Sequence, residues 1–238
     1  MKKQSLSIIL PTYNESENIV PLIKELLKQV GKNKVSVEIL VVDDNSPDNT
    51  FQKAKVAFGK KQEVKLFLRT RKKGLASAIL YGLKKATKEF VLVMDTDFNH
   101  NPKEIPIMLS LIQHYQLVIG SRFTGMGGME NKTRQHLSYL FNIYLKILLG
   151  HRINDNLSGF FIMRRKELLT LPIASIFTGF GEYFIRLIFT ACKKKYSFIE
   201  VPVFYKNRIH GHSKSKFLEM FINYSWCGIH LRFTSLYE

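Results

Sequence analysis

The stretch Phe90-Val91-Leu92-Val93-Met94-Asp95-Thr96-Asp97 decides the fold, because an unbroken apolar run ends abruptly in two carboxylates one residue apart. Two further apolar runs end in the same way. Residues 6–10 precede the polar residues 12–15, and residues 37–42 precede the polar residues 43–46. Apolar strands between helical segments are typical of a parallel sheet that is covered on both faces. Because ligands bind at the carboxyl edge of such a sheet, we expect the three polar clusters to form one site.

The remaining pattern alternates helices and strands and becomes less regular after residue 100. Helical spacing of apolar residues predicts helices from residue 16 or 18 to about 29, from residue 48 or 50 onward, over 74–85 and from about 181 to 194. Further strands are predicted over Val64–Leu68 and over residues 117–119, 160–163 and 198–203. We therefore predict an α/β domain with a Rossmann-like, mostly parallel sheet, flanked by helices, and an accessory second half.

Charge and cysteine content narrow the class of protein. The formal net charge is +17, spread over both halves of the chain, and it would attract polyanions or an anionic membrane surface. Cys192 and Cys227 have no metal-type spacing, which excludes a disulfide-built scaffold and is compatible with a reducing cytosol. We expect no signal peptide. No stretch reaches the roughly 18–20 apolar residues that cross a bilayer. The nearest, residues 137–149, is interrupted by Asn142 and Lys146.

Asp95 and Asp97 are the first candidates for chemistry. Two carboxylates one residue apart at a strand end suit a hard divalent cation, which prefers oxygen ligands, and Asn99 would add an amide oxygen. The alternative is an ordinary capped turn, where Asp and Asn are also favoured.

Asp43 and Asp44 follow a second strand. They fit either a turn with a helix N-cap or a carboxylate that accepts hydrogen bonds from a base or ribose. Residues 11–15 stand where a dinucleotide-binding enzyme has its GxGxxG turn, and GxxxxGK[ST] is absent from the sequence. The pattern therefore argues against both a dehydrogenase and a P-loop protein. The histidines show neither HxxxH nor HExxH spacing, and no GxSxG elbow is present.

Basic residues recur at predicted loops. They are Arg69, Arg71, Lys72, Lys73, Arg122, Arg134, Arg208 and Lys214. Each one alone is more consistent with a solvated surface charge, but together they would suit a site that holds a diphosphate and a second phosphate. Two apolar segments, residues 137–149 and Phe217–Phe233, are either core helices or interfacial helices that lie on a membrane.

Six short motifs, taken in order, resemble family 2 glycosyltransferases of the GT-A fold, and most closely their dolichyl-phosphate mannosyltransferase branch, the polyprenyl-phosphate glycosyltransferases. The motifs are Pro11-Thr12-Tyr13-Asn14-Glu15, Val41-Val42-Asp43-Asp44-Asn45-Ser46-Pro47-Asp48, Lys73-Gly74-Leu75, Asp95-Thr96-Asp97, Gly120-Ser121-Arg122 and Ser158-Gly159-Phe160. The resemblance runs from about residue 6 to residue 216. It implies one GT-A domain over residues 1–216, with a nucleotide-sugar half (1–100) and an acceptor half (101–216), before an amphipathic tail (217–238).

The resemblance also implies roles for particular residues. The implied nucleotide-sugar residues are Pro11, Tyr13, Glu15, Asp44, Asp95, Arg208 and Lys214, the last two closing over the diphosphate from a mobile loop. The implied ligands of a Mg²⁺ or Mn²⁺ ion are Asp95, Asp97 and Asn99. The implied acceptor-phosphate residues are Arg122, Arg134 and Ser138.

The expected reaction is an inverting, metal-dependent transfer of mannose from GDP-mannose to a polyprenyl or dolichyl phosphate. The acceptor phosphate is already ionised, so no strong base is needed, and Asp97 and Arg122 are expected to be the catalytic residues. The expected location is cytoplasmic, peripheral on the cytoplasmic face of a membrane, and a requirement for a membrane-protein partner stays open.

Two departures from the family pattern leave the identity of the sugar open. The chain has Gly74-Leu75-Ala76 where Gly-Leu-Gly is usual, and Asn99 where Gln is frequent. One alternative is a family 2 enzyme with another donor, such as a UDP-sugar, or with a saccharide acceptor, for which Glu182 is the candidate base. A remote alternative is a nucleic-acid-binding protein, but only the charge favours it, so no nucleic-acid partner is expected.

Overall fold

The computed structural model describes residues 4–33, 35–71, 73–206 and 217–234. The strands in these ranges are β1 (Ser5–Thr12), β2 (Ser36–Asp43), β3 (Val64–Leu68), β4 (Phe90–Val93), β5 (Leu117–Ser121), β6 (Gly128–Met129), β7 (Phe161–Arg164), β8 (Phe198–Pro202) and β9 (Phe204–Tyr205). The helices are α1 (Ile19–Lys32), α2 (Thr50–Phe58), α3 (Leu75–Lys85), α4 (Ile105–Leu111), α5 (Lys132–Leu149), α6 (Arg165–Leu169), α7 (Ile173–Ile176), α8 (Glu182–Lys193) and α9 (Phe217–Phe233). A 3-10 turn at Pro102–Glu104 precedes α4.

A seven-stranded sheet forms the centre of the fold, in the order β3-β2-β1-β4-β7-β5-β8. All its strands run in one direction except β7, which is antiparallel to both β4 and β5. A separate parallel pair joins β6 to β9. The predicted α/β fold with a mostly parallel sheet is confirmed.

The reversed strand β7 brings a further chain segment to the carboxyl edge of the sheet. Its first residue, Phe161, pairs with Val93 at the end of β4 and with Ile119 near the end of β5. The residues that precede Phe161 therefore lie at the edge where β1, β2 and β4 also end. The apolar pattern predicted this strand but not its direction.

The apolar side chains form two layers, one on each face of the sheet. Alternate residues of a strand, such as Ile8 and Ile9, face opposite layers because side chains alternate along a strand. One layer packs against α1, α2 and α4, and the other packs against α3 and α8. A third cluster joins α5, α8 and α9, through Leu145, Phe189 and Leu231 among others.

Glu38 is a buried charge near the start of β2, inside an otherwise apolar strand. Its carboxylate accepts hydrogen bonds from Ser7 Oγ (2.6 Å), from Lys65 Nζ (2.6 Å) and from the backbone N–H of Thr87 (2.6 Å). Burial alone would raise the pKa of this carboxyl group, but these hydrogen bonds lower it to about 2. The network joins β1, β2, β3 and the segment before β4, which explains why a charge is tolerated here.

Several predicted boundaries shift by a few residues. Helix α5 begins at Lys132 and not at residue 137, because the side chain of Asn131 accepts a hydrogen bond from the backbone N–H of Arg134 (2.9 Å) and caps the helix. The predicted strand over residues 198–203 ends at Pro202, and β9 follows it.

Helices α5 and α9 pack side by side and share an exposed apolar surface, which we call the α5–α9 face. Its residues are Leu137, Leu140, Ile143 and Ile147 of α5, and Phe221, Ile222, Trp226, Ile229 and Phe233 of α9. Ile147 is 76% exposed and Trp226 is 70% exposed, so the surface is open to solvent. Among the described helices, none combines the length and the apolar character that crossing a membrane requires.

Candidate functional site

A cavity of about 340 Å³ lies where β1, β2 and β4 end, and we call it the strand-end cavity. The predicted nucleotide-sugar and metal residues that line it are Pro11, Tyr13, Glu15, Asp44, Asp95 and Asp97. Much of the remaining wall comes from the segments before two helices, with Lys73 and Gly74 before α3 and Phe180 before α8. The structure therefore brings together three sequence clusters that are far apart in the chain.

The loop between β1 and α1 is held by the loop between β2 and α2. The backbone N–H groups of Asn14, Glu15 and Ser16 donate to the side chains of Ser46 (2.9 Å), Thr50 (2.9 Å) and Asp48 (3.0 Å), respectively. These bonds fix the backbone beside Tyr13, whose ring is 41% exposed at the cavity.

Asp44 lines the strand-end cavity, but its two oxygens already have partners within the chain. It accepts a hydrogen bond from Arg69 Nε (2.6 Å), forms an ion pair with that guanidinium group, and accepts from the backbone N–H of Gly74 (2.6 Å). Gly74 has φ of +122°, a conformation that favours glycine, and it starts α3. Asp44 thus shapes the cavity wall, while its predicted contact with a base or ribose stays a prediction.

The Asp95–Asp97 turn is built by short-range hydrogen bonds. The backbone and side-chain N–H groups of Asn99 donate to the two carboxylate oxygens of Asp97, at 3.1 Å and 2.8 Å. Asn99 thus supports Asp97 through its amide nitrogen, whereas its oxygen was the predicted metal ligand. The side chain of Asp95 is 45% exposed, so this carboxylate is accessible from the cavity.

His100 is fully buried behind this turn, a position for which histidine spacing gave no signal. Its Nδ1 accepts the backbone N–H of Asp95 (2.8 Å), so Nε2 carries the proton and donates to the carbonyl of Ser158 (3.1 Å). The ring stacks on Phe160 at 4.8 Å, and the hydroxyl of Tyr205 donates to the same Ser158 carbonyl (3.2 Å). His100 therefore connects the Asp95 turn to the segment that enters β7.

Asp95 and Asp97 are suitable for a hard divalent cation. Among the described residues, no group of three or more His, Cys, Asp or Glu side chains is arranged to hold a metal ion. Mg²⁺, however, is commonly held by one or two carboxylates together with substrate phosphates and water. Two carboxylates that line one open cavity meet that requirement.

A second cavity of about 450 Å³ lies between α5 and α9, and we call it the α5–α9 cavity. The three predicted acceptor-phosphate residues, Arg122, Arg134 and Ser138, all line it. The first turn of α5 adds Thr133, so the wall includes a helix N-terminus, which favours anions. The apolar part of the wall consists of Leu137, Phe141, Leu157, Met220 and Phe221.

Arg122 is buried and held by Asp155, a partner that the sequence did not indicate. Its Nε and Nη2 donate to the two carboxylate oxygens of Asp155 at 2.8 Å and 2.7 Å. Burial alone would lower the pKa of Arg122, but the charge and hydrogen bonds of Asp155 raise it. The guanidinium group also lies 5.0 Å from the ring centre of Tyr205. Arg122 is therefore a fixed cation at the cavity wall.

Glu182, the candidate base for a saccharide acceptor, lines neither cavity. It is buried, and its carboxylate accepts the backbone N–H of Phe180 (2.7 Å) at the start of α8. The geometry thus gives Glu182 a structural contact and does not support the saccharide alternative.

The other basic residues that the sequence suggested as phosphate ligands differ in their surroundings. Arg69 is paired with Asp44, and Lys73 lines the strand-end cavity. Lys72, Arg208 and Lys214 lie outside the described residues, so their predicted roles stay predictions.

The comparisons with known proteins agree with this arrangement. The chain is 36% identical over 219 residues to the dolichol-phosphate mannosyltransferase of Pyrococcus furiosus, covering 89% of this chain and 59% of that protein. It is 35% identical over 219 residues to the polyprenol monophosphomannose synthase of Mycolicibacterium smegmatis, covering 89% of this chain and 81% of that protein. The chain thus spans less than two thirds of the archaeal relative and about four fifths of the mycobacterial one.

A solved structure shares the fold. It is glucosyl-3-phosphoglycerate synthase from Mycobacterium tuberculosis, in complex with Mn²⁺, UDP and glucosyl-3-phosphoglycerate. The two structures superimpose with a TM-score of 0.71 at 20% sequence identity, and the match covers 96% of this chain and 80% of that chain. Residues 7–170 match the profile described as Glycosyl transferase family 2. The predicted family is confirmed, and the chain belongs to glycosyl transferase family 2, with the GT-A fold.

Proposed function

We propose that the protein transfers mannose from GDP-mannose to a polyprenyl phosphate with inversion at the anomeric carbon. The observation that carries this proposal is a pair of cavities with complementary chemistry. The strand-end cavity offers Asp95 and Asp97, whereas the α5–α9 cavity offers arginines at one part of its wall and apolar side chains at the other. His100, Ser158 and Tyr205 connect the Asp95 turn to Arg122.

The donor is assigned to the strand-end cavity. Tyr13 and Glu15 are placed to contact the nucleoside, and Lys73 adds a positive charge for the diphosphate. Asp95 and Asp97 would hold a Mg²⁺ or Mn²⁺ ion, which supplies charge neutralisation for the leaving diphosphate. Relatives named as mannosyltransferases of dolichol phosphate and polyprenol support mannose as the sugar.

The acceptor is assigned to the α5–α9 cavity. Arg134, the hydroxyl of Ser138 and the first turn of α5 would receive its phosphate. Their presence on one cavity wall with the fixed charge of Arg122 supports this assignment. Leu137 and Phe221 line the cavity and also belong to the exposed α5–α9 face. A prenyl chain whose phosphate sits at the arginines can therefore follow apolar side chains out of the cavity.

The chemistry assigned to these residues is orientation and charge stabilisation. The acceptor phosphate already carries its negative charge, so its oxygen attacks the anomeric carbon without a general base. The arginines hold that phosphate in place and offset the repulsion between it and the donor diphosphate. This role needs no carboxylate near the acceptor, in agreement with the position of Glu182 outside both cavities.

The α5–α9 face is assigned to the surface of an anionic bilayer on its cytoplasmic side. Apolar side chains with an exposed Trp226 are typical of helices that lie in the interface, and the net charge of +17 favours anionic lipid. Docking there would place the cavity where a membrane lipid can enter it.

A donor screen tests the proposal. GDP-mannose, UDP-glucose, UDP-galactose and UDP-N-acetylglucosamine are each incubated with a short polyprenyl phosphate and Mg²⁺ or Mn²⁺, with Asp97→Asn as the matched control. We expect metal-dependent mannosyl lipid from GDP-mannose alone, and none from the variant. Turnover only with a UDP-sugar would overturn the donor assignment. If no donor is transferred to the lipid phosphate, the acceptor assignment is wrong.

A further inference from the structure

Tyr224 of α9 reaches from the α5–α9 cavity to the turn that precedes α8. Its side chain is buried and lines that cavity, and its hydroxyl group lies against the backbone of Gly181. A Cβ atom at Gly181 would overlap that hydroxyl group, so the two residues meet at van der Waals distance with no room for a side chain. Helix α9 therefore contacts the turn at residues 178–181 through the hydroxyl group of Tyr224.

Residues 178–181 form part of the wall of the other cavity. Phe180 lines the strand-end cavity with Asp95 and Asp97, and its side chain is 44% exposed. The turn has little freedom, because the backbone N–H of Phe180 donates to Glu182 and Arg186 Nη1 donates to the carbonyl of Thr178 at 3.0 Å.

Gly179 fixes the turn further. It has φ of +70°, and a Cβ atom there would lie 2.9 Å from Oε2 of Glu182. A rigid turn transmits a displacement at one end to the other. The Phe180 ring in the wall of the strand-end cavity and the Gly181 backbone beside the Tyr224 hydroxyl belong to this one short turn.

We propose that Tyr224 is a positioning residue that couples acceptor binding to donor binding, by holding the Phe180 ring in place in the wall of the strand-end cavity. The inference rests on the proposed function, since it assigns the donor and the acceptor to these two cavities. An acceptor that fills the α5–α9 cavity packs against Tyr224 and restrains α9. The same restraint fixes Phe180, so donor affinity rises, and by thermodynamic linkage the donor raises acceptor affinity equally.

The substitution Tyr224→Phe separates this role from simple packing. It keeps the ring within the cluster that joins α5, α8 and α9 and removes only the hydroxyl group that lies against Gly181. Tyr196→Phe is the matched control, because it likewise removes a single tyrosine hydroxyl group, one that forms a hydrogen bond with the hydroxyl of Thr170 (3.1 Å), and Tyr196 lines neither cavity. Phe180→Ala removes the other end of the link.

The experiment is calorimetric titration of GDP-mannose into the full chain, with Mg²⁺, in the presence and absence of a short polyprenyl phosphate in detergent. For the unmodified protein and for Tyr196→Phe, we expect the lipid phosphate to tighten donor binding about fivefold or more. For Tyr224→Phe and Phe180→Ala, we expect this ratio to fall close to one. The double variant should show no further loss, since both changes break one link.

The outcomes distinguish this inference from the proposed function. If Tyr224→Phe retains the full ratio, or if the unmodified protein binds both ligands without any coupling, the inference is wrong and the proposed function stands. If the unmodified protein binds neither GDP-mannose nor the lipid phosphate, both are wrong. Thermal unfolding of each variant checks that a lost ratio does not reflect a lost fold.

Discussion

Asp155→Ala is expected to destabilise the protein severely, because it leaves a buried cation without its partner. Asp155 is fully buried and accepts hydrogen bonds from Nε, Nη2 and the backbone N–H of Arg122, at 2.8, 2.7 and 2.9 Å. Removing one partner of a buried pair costs about 3–5 kcal/mol. For a chain of this size, about 2–4 °C of melting temperature is lost per kcal/mol, so a decrease of about 6–20 °C is expected.

The assay is guanidinium chloride unfolding of the unmodified protein, Asp155→Ala and the double variant Arg122→Met/Asp155→Ala. The double variant should recover part of the lost stability, because it removes the uncompensated charge. It should nevertheless use the acceptor poorly, because Arg122 lines the α5–α9 cavity, to which the acceptor is assigned. A loss below about 1 kcal/mol in Asp155→Ala would match the value of an exposed ion pair and would refute the picture of Arg122 as a buried, fixed cation.

Four further outcomes are expected. Asp97→Asn should abolish metal-dependent donor binding in calorimetry, with thermal unfolding as the check that the variant stays folded, and chelator-sensitive turnover at full rate would contradict the metal assignment. Arg134→Ala should raise the acceptor KM about ten- to a hundredfold. Its donor affinity should stay unchanged, and an equal loss of donor affinity would place this arginine at the diphosphate instead. Ile147→Glu should weaken binding to anionic vesicles, read from the blue shift of Trp226, the single tryptophan of the chain; an unchanged shift would exclude the α5–α9 face as the docking surface. Glu38→Gln should lower stability by about 3 kcal/mol near neutral pH. Because the pKa of Glu38 in the folded protein is lowered from 4.5 to about 2, its stabilising contribution is complete above pH 4.5 and disappears as the pH falls toward 2. If the unfolding free energies of the unmodified protein and of Glu38→Gln change in parallel with pH, this expectation is wrong.

The strand-end cavity could be predicted from the sequence because each part of the signal is local. An apolar run that ends in Asp95 or Asp44 identifies both a strand and its carboxyl end, and parallel strands share one edge. The predicted acceptor-phosphate residues Arg122, Arg134 and Ser138 came from the resemblance to a family, and all three line one cavity in the structure.

The remaining contacts join residues that no periodicity relates. Asp155 lies in an irregular segment, and its pairing with Arg122 depends on how that segment folds back across β5. The role of His100 depends on the reversed direction of β7, which brings the Ser158 carbonyl to the ring. Apolar composition predicts that a strand exists, but strand direction is decided by the tertiary fold.

The reversed strand β7 also constrains the order in which the chain can fold as it is synthesised. The strands β1 to β4 are complete once residue 93 has been made, and they form a continuous four-stranded parallel unit. Strand β5 is the next strand of this sheet along the chain, but it does not pair with β4, because β7 lies between them in the sheet. Until residues 161–164 have left the ribosome, β4 therefore keeps an unpaired edge, the kind of edge at which nascent chains associate wrongly. Closing the sheet requires pairing between segments far apart in sequence, and contacts of this kind slow folding.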